Sequence, residues 1–251
     1  LPFIIMDNTS QDTAQKILFT ISWDVEAIFL ERLNRFVGLV QLKDGDFSGE
    51  KAHIHDPGRL EELLFESNEV LLRKARRAGR KTRWDLIAAK YEDQFVLVNS
   101  GIHRRISEKI ISNQDIRPFG EVKQIKAEVR RGSSRLDFYI TTKNNESIWI
   151  EVKGCTLAVD GKALFPDAPT ARGKKHLDEL IQVRKAGERA AIVILIFRQD
   201  AECFGPNWTT DPDFSKVFEL AVSKGVEVYP LSIGFYKEVL TYSGRLPLCT
   251  D

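Results

Sequence analysis

The chain has 251 residues, 43% hydrophobic and 29% charged, with 37 Lys and Arg against 36 Asp and Glu. That is ample material for one large domain or two modest ones. A net charge of +1 excludes a basic field over the whole protein, so any contact with nucleic acid must come from local patches.

Residues 1–20 read as a tail or a first strand. LPFII is too short for a signal peptide, and because the first methionine is Met6, residues 1–5 are given no role. RFVGLVQL (35–42) reads as a strand, DGDFSG (44–49) as a turn, and EKAHIHD (50–56) as a second strand that Pro57-Gly58 breaks. RLEELL (59–64) is expected to form a short helix. NEVLLRKA (68–75), TRWDLIAAKY (82–91) and QFVLVNS (94–100) complete a set of five short strands, the ingredients of an OB-like barrel over 21–100.

The second half, 101–251, has a different pattern. RRISEKIIS (104–112) places Ile106, Ile110 and Ile111 at helical spacing. VKQIKAEVR, SRLDFYIT and SIWIEVK read as a three-strand meander (122–153), and GCTLAVDGKALFPDAP as a long loop. Thr170 is a fair N-cap for a helix to about Ala186, with Gly187 at C′. ERAAIVILIF (188–197) is almost continuously apolar, as expected for a central strand buried on both faces. A last helix and strand follow, FSKVFELAVSKG and VEVYPLSI. No run approaches the roughly 18 apolar residues of a membrane-spanning helix. Cys155, Cys203 and Cys249 are odd in number and widely spaced, so neither a metal site nor a disulfide is expected, and the protein reads as cytoplasmic.

The stretch WIEVKG (149–154) carries the chemistry. In a strand, residues two apart share a face, so Ile148, Ile150 and Val152 can enter a core while Trp149, Glu151 and Lys153 share the other side. Taken alone, these six residues read more plainly as a polar face with a local ion pair. If 134–141 and 147–153 pair through the KNNE turn, however, Asp137 falls opposite or diagonal to Glu151, and Leu136, Phe138 and Ile140 point away from it. Two hard carboxylates suit Mg²⁺ or Mn²⁺ together with phosphate oxygens. Lys153 can place an attacking water or balance developing negative charge.

Cations lie nearby in sequence. Arg172, Lys175 and His176 fall in the first turns of the 170–186 helix, where an anion is favoured. A solvated helix face is the plainer reading, and for His176 a packing or hydrogen-bonding role. RKARRAGRKTR (73–83) holds seven cations and no acid: Arg73, Lys74, Arg76, Arg77, Arg80, Lys81 and Arg83. Beside a barrel such a run makes a track for a nucleic-acid backbone. Trp84 is placed either to stack a base or in the core, and Arg59 within reach of a phosphate. His53 and His55 share a face without an evident third metal ligand. Asp167 is placed at the site rim or in a structural turn.

SSRLDF (133–138), EVKGCTL (151–157) and FPDAPTARGKKHLDEL (165–180), with AHIHDPGRL, TRWDL and VNS earlier and GVEV near the end, resemble the sugar fermentation stimulation protein (SfsA) family. The resemblance runs from about residue 30 onward. It implies a two-domain α+β or α/β protein: an OB-like barrel, then an αβββαβ domain similar to the PD-(D/E)xK nucleases. It also implies DNA binding, with a role in regulating sugar metabolism. Asp137, Glu151 and Lys153 match the nuclease motif, and Glu128 matches a further acidic position in the metal set. Gly154-Cys155 and the HisArgArg run at 103–105 depart from the family pattern. The expected cofactor is Mg²⁺ or Mn²⁺. The expected partner is single- or double-stranded DNA, bound largely without regard to sequence, with a homodimer left open. The alternative is a DNA-binding regulator that keeps the nuclease fold without cleaving.

Overall fold

The computed structural model describes residues 15–44, 49–76, 79–132 and 134–250. Arg77, residues 1–14 and most of the DGDFSG turn lie outside them. Strand β1 (Lys16–Thr20) comes first, then β2 (Val25–Asn34), β3 (Val37–Leu42), β4 (Glu50–His53), β5 (Glu69–Lys74), β6 (Trp84–Tyr91) and β7 (Gln94–Leu97). A sheet runs β4-β3-β2-β5-β6-β7, and a parallel pairing of β4 with β6 closes five of its strands into a barrel. Ala27, Phe29, Val40, Ala52, Val70, Leu72 and Leu86 fill it.

The sequence reading passes over β2. Its alternation is lost to register shifts at Phe29/Glu31 and Arg32/Asn34, and a bulge hides the period-two pattern from inspection. RLEELL is not a helix. Leu60 has φ +53, and the segment makes one turn closed by Leu64 N–H on the Leu60 carbonyl at 2.7 Å. That turn alone buries Leu60, Leu63 and Leu64, so the helix-like spacing reflects burial rather than helix. Trp84 is buried and belongs to the barrel core, which rules out its stacking on a base.

The second unit begins with α1 (His103–Ser112), β8 (Val122–Arg131), β9 (Ser134–Thr142) and β10 (Ser147–Cys155). Next come β11 (Ala158–Val159), β12 (Lys162–Phe165), α2 (Ala171–Lys185), β13 (Arg189–Ile196) and β14 (Cys203–Pro206). It ends with α3 (Pro212–Ser223), β15 (Glu227–Tyr236) and β16 (Val239–Arg245). A seven-stranded sheet runs β1-β16-β15-β13-β10-β9-β8. Strands β8, β9 and β10 form the expected antiparallel meander, while β10, β13 and β15 are parallel. The αβββαβ order is the one the sequence suggests. Strand β13 is buried along nearly its whole length, as its apolar run requires. Thr170 caps α2 by accepting the Gly173 N–H, and Gly187 takes φ +82 after the helix ends.

One face of this sheet shares a core with the barrel, and α2 and α3 pack on the other. Arg198, just past β13, is fully buried, lies 3.4 Å from the ring centre of Tyr91 in the barrel and is paired with Asp200. The structure departs from the sequence reading in two further places. The loop after β10 contains β11 and β12, which join β14 in a small three-stranded sheet. Cys203 and Cys249 are disulfide-bonded, and only Cys155 is free. Their separation of 46 residues gave no local signal for the pairing. No helix among the described residues is long and apolar enough to cross a membrane.

Candidate active site

The register of β9 on β10 runs from Thr141↔Ser147 to Phe138↔Ile150, and its continuation sets Asp137 opposite Glu151. The backbone ladder stops there because Asp137 Oδ2 accepts the Val152 N–H at 2.8 Å. As the alternation requires, Ile148 and Ile150 lie in the core shared with the barrel, and Trp149 lies in the α2 core. Phe138 and Ile140 join the first core, but Leu136 joins the second, contrary to the expected alternation. The cause lies on the neighbouring strand. Glu128 has φ +54, and past it Val129, the partner of Leu136, packs on the α2 side while Ala127 packs on the other.

Glu151 is 2% exposed, an expensive place for a charge unless it is paired. Its Oε1 takes Lys153 Nζ at 2.5 Å and also meets His176 Nδ1, which lies 3.3 Å from Lys153 Nζ. One ring nitrogen serves one partner at a time: protonated, it donates to Glu151; bare, it accepts from Lys153. Burial would raise the Glu151 carboxyl, but the His176 hydrogen bond and the Lys153 charge hold it below the usual carboxylate range. Burial, then the charge of Glu151, pushes Asp137 up to about 6. Glu151 Oε2 is buried without a hydrogen-bond partner.

That orphaned oxygen beside a second carboxylate fits a divalent cation by donor type. The third expected ligand does not converge. The Glu128 carboxylate is half exposed and pairs with Arg135 at 3.2 Å and Arg104 at 3.6 Å. Among the described residues no three His, Cys, Asp or Glu side chains are grouped to hold a metal.

Asp137 and Lys153 open onto a cavity of about 820 Å³ between the barrel and the second sheet. Arg172 lines it from the start of α2, while Lys175 is exposed on the same helix. Asp167 lines it too, and its Oδ2 accepts the Leu60 N–H at 3.2 Å, so it both borders the site and ties the second unit to the barrel. Gly58 allows this approach, because a Cβ there would overlap the Asp167 carboxylate. Asp56, also on the wall, is pushed up to about 6 by burial, with the Asp167 charge adding to it.

His103 is a cavity residue that sequence reasoning missed. Its ring stacks on Phe197 with centroids 5.2 Å apart and occupies the space over Gly154, where a Cβ would come within 2.9 Å of Nε2. Burial and the Lys153 charge push it down to about 4, so it is neutral at ordinary pH. The departures at 103 and 154 were the signal, and they explain each other.

The described part of the basic run begins at the end of β5 with Arg73 and Lys74 and continues toward β6. Arg80 is paired with Asp85 at 2.6 Å, and Arg83 with Glu50 at 3.2 Å. Lys74, Arg76 and Lys81 are exposed and Arg73 is partly buried. Arg59 is exposed outside the cavity wall. His53 and His55 meet edge to face at 4.4 Å, and His55 is bound to Asp85 rather than to any metal set.

Residues 30–98 match the family description "SfsA N-terminal OB domain", and residues 101–238 match "Sugar fermentation stimulation protein RE domain". The chain is 49% identical over 238 residues to a sugar fermentation stimulation protein homolog of Methanococcoides burtonii, covering 94% of this chain and 96% of that one. The homolog of Sulfolobus acidocaldarius is 43% identical over 226 residues, covering 90% of each chain. The solved structure of Pyrococcus furiosus SfsA in complex with Ca²⁺ superposes with a TM-score of 0.85 at 31% identity, over 93% of this chain and 99% of that one.

Proposed function

The chain belongs to the sugar fermentation stimulation protein family, and on that premise we propose that it binds DNA and cleaves phosphodiester bonds with a divalent cation. The carrying observation is the convergence of Asp137 and Glu151 from adjacent strands, with Glu151 Oε2 buried and unpartnered and Lys153 alongside. Asp137 and Glu151 would hold Mg²⁺ or Mn²⁺. The bound ion would supply charge neutralisation at the phosphate and a more acidic water. The Ca²⁺ in the Pyrococcus furiosus structure supports a divalent ion.

Asp137 and Glu151 repel one another without a cation, which is the penalty that a cation relieves. Lys153, one-sixth exposed at its side chain, orients the attacking water and balances charge on the phosphoryl oxygens. His176 fixes the Glu151 carboxylate, acting as a positioning residue. Lys74 at the end of β5 and Arg76 and Lys81 on the β5–β6 loop follow the backbone of DNA, which carries no base information.

A second reading has its own observation. Glu151 Oε1 is already taken by Lys153 and His176, and Glu128 is turned to arginines. That arrangement suits a DNA-binding regulator of sugar-metabolism genes that retains the nuclease fold. Labelled single- and double-stranded DNA incubated with Mg²⁺ or Mn²⁺ separates the two. Cutting by the wild type that disappears in both Glu151→Gln and Lys153→Ala supports catalysis. Salt-sensitive binding without cutting, unchanged in both variants, leaves the regulator.

A further inference from the structure

One wall of the cavity has no part in the phosphodiester reading. It is the β2–β3 turn, where Arg35 and Phe36 line the same cavity as Asp137 and Lys153. Phe36 is 45% exposed, and of the exposed large hydrophobic residues described it alone lines this cavity. Its ring is stacked on His53, with centroids 6.4 Å apart and planes 27° apart, and the Arg35 guanidinium sits 5.7 Å from its centre.

The turn is held rigidly. The Phe36 N–H donates to Asn34 Oδ1 at 2.9 Å, and the Phe36 carbonyl accepts the Ile54 N–H at 2.9 Å. Arg32 donates to the carbonyls of Arg35 and Arg59, and Arg35 Nε donates to the Pro57 carbonyl at 3.1 Å. A half-exposed aromatic ring on a turn fixed by this many hydrogen bonds does not fold away to hide its apolar face. It is an ordered aromatic platform with a cation held over the ring, a pairing of aromatic and cation that also serves stacked nucleobases. In OB-type barrels the first hairpin turn and the fourth-to-fifth strand loop hold oligonucleotides. Here those are the turn carrying Phe36 and the loop carrying the basic run.

We propose that Phe36 is a nucleobase platform, and that an unpaired base stacks on it while the attached phosphate lies at Lys153 and the start of α2. This deepens the reading above and rests on it for the identity of the phosphate wall. A base inside a duplex has both faces covered by its neighbours and cannot stack on Phe36 without being extruded, at a cost of a few kcal/mol. The ligand is therefore a nucleotide with a free base, either within a single strand or on its own.

Fluorescence anisotropy with the full chain tests this, in Ca²⁺ buffer so that binding is read apart from cutting. The probes are a short labelled thymidine oligonucleotide, a hairpin duplex and unlabelled thymidine monophosphate as competitor. Phe36→Ala should weaken binding of the single strand by about 5- to 150-fold, the range for losing one stacked base. It should leave duplex binding nearly unchanged, and Phe36→Trp should retain affinity, with the introduced indole quenched by the oligonucleotide. Competition by the mononucleotide would assign the platform to free nucleotides, and its failure to compete would assign it to a base within a strand. Single-strand affinity unchanged in Phe36→Ala, or an equal loss for single strand and duplex, would overturn the proposal. Thermal melting of both variants guards against misfolding, to which an exposed turn residue contributes little. Absence of cutting in Mg²⁺ with the Phe36 effect intact would sink the nuclease reading and leave the platform standing.

Discussion

Replacing Asp137 with Asn should make the protein more stable in the absence of a divalent cation and abolish its response to one. Asp137 is raised from 3.8 to about 6, by burial first and by Glu151 second. As pH rises through that window the unfolded chain ionises before the folded one, so stability falls between pH 3.8 and about 6 and stays low above it. The gap corresponds to about 3 kcal/mol at one pKa unit per 1.36 kcal/mol. Because Asp137 borders an open cavity, about 2 kcal/mol is the fairer expectation after solvent screening. Asn keeps an oxygen for the Val152 N–H, so the hydrogen bond at 2.8 Å survives. In a chain of this size the gain is roughly 4–8 °C in Tm. The assay is thermal melting in chelator near neutral pH and again near pH 4, where the wild type should recover and the gap close. Adding Ca²⁺ should then stabilise the wild type, by about 2.7 kcal/mol at 100 times Kd, and leave Asp137→Asn where it was. A variant no more stable than wild type in chelator would refute the argument that burial and the neighbouring Glu151 make an ionised Asp137 costly. Equal stabilisation of both proteins by Ca²⁺ would remove Asp137 from the cation site.

Gly154→Ala should cost about 1–3 kcal/mol, because its Cβ would overlap a His103 ring confined by Phe197. Combining it with His103→Ala should recover much of that loss, and a double-mutant cycle showing simple additivity would contradict the packing. In denaturant without reductant, thiol titration should find one free cysteine, Cys155. Cys249→Ser should lower stability by about 2–4 kcal/mol in denaturant unfolding, as expected for a cross-link closing a loop of 46 residues. Arg76→Ala and Lys81→Ala should each weaken DNA binding alike for all sequences and reduce the slope of log affinity against log salt by about 1, measured by salt titration. An unchanged slope would place the backbone track elsewhere.

Much of the second sheet was legible because its signals are local. The alternation in SIWIEVK sorts Ile148 and Ile150 from Trp149 and Glu151 wherever the strand ends up. Thr170 and Gly187 bracket α2, and the unbroken apolarity of 190–196 requires burial on both faces. The same logic failed where the backbone departs from a regular period. Register shifts concealed β2, a left-handed Glu128 sent Leu136 to the other core, and a single turn at Leu60 imitated a helix.

The sequence by itself therefore determined most elements of the second sheet, the faces of β10 and the residue types of the carboxylate and lysine site. Only the tertiary structure decided who meets whom. It set His176 on Glu151, placed His103 in the space over Gly154, turned Glu128 to arginines, joined Cys203 to Cys249 and brought Phe36 and Lys153 to one cavity. The physical reason is range. Side-chain periodicity repeats every two or 3.6 residues and can be read within one segment. These pairings depend on barrel closure, strand register and the packing of one sheet against another, which bring together residues dozens of positions apart.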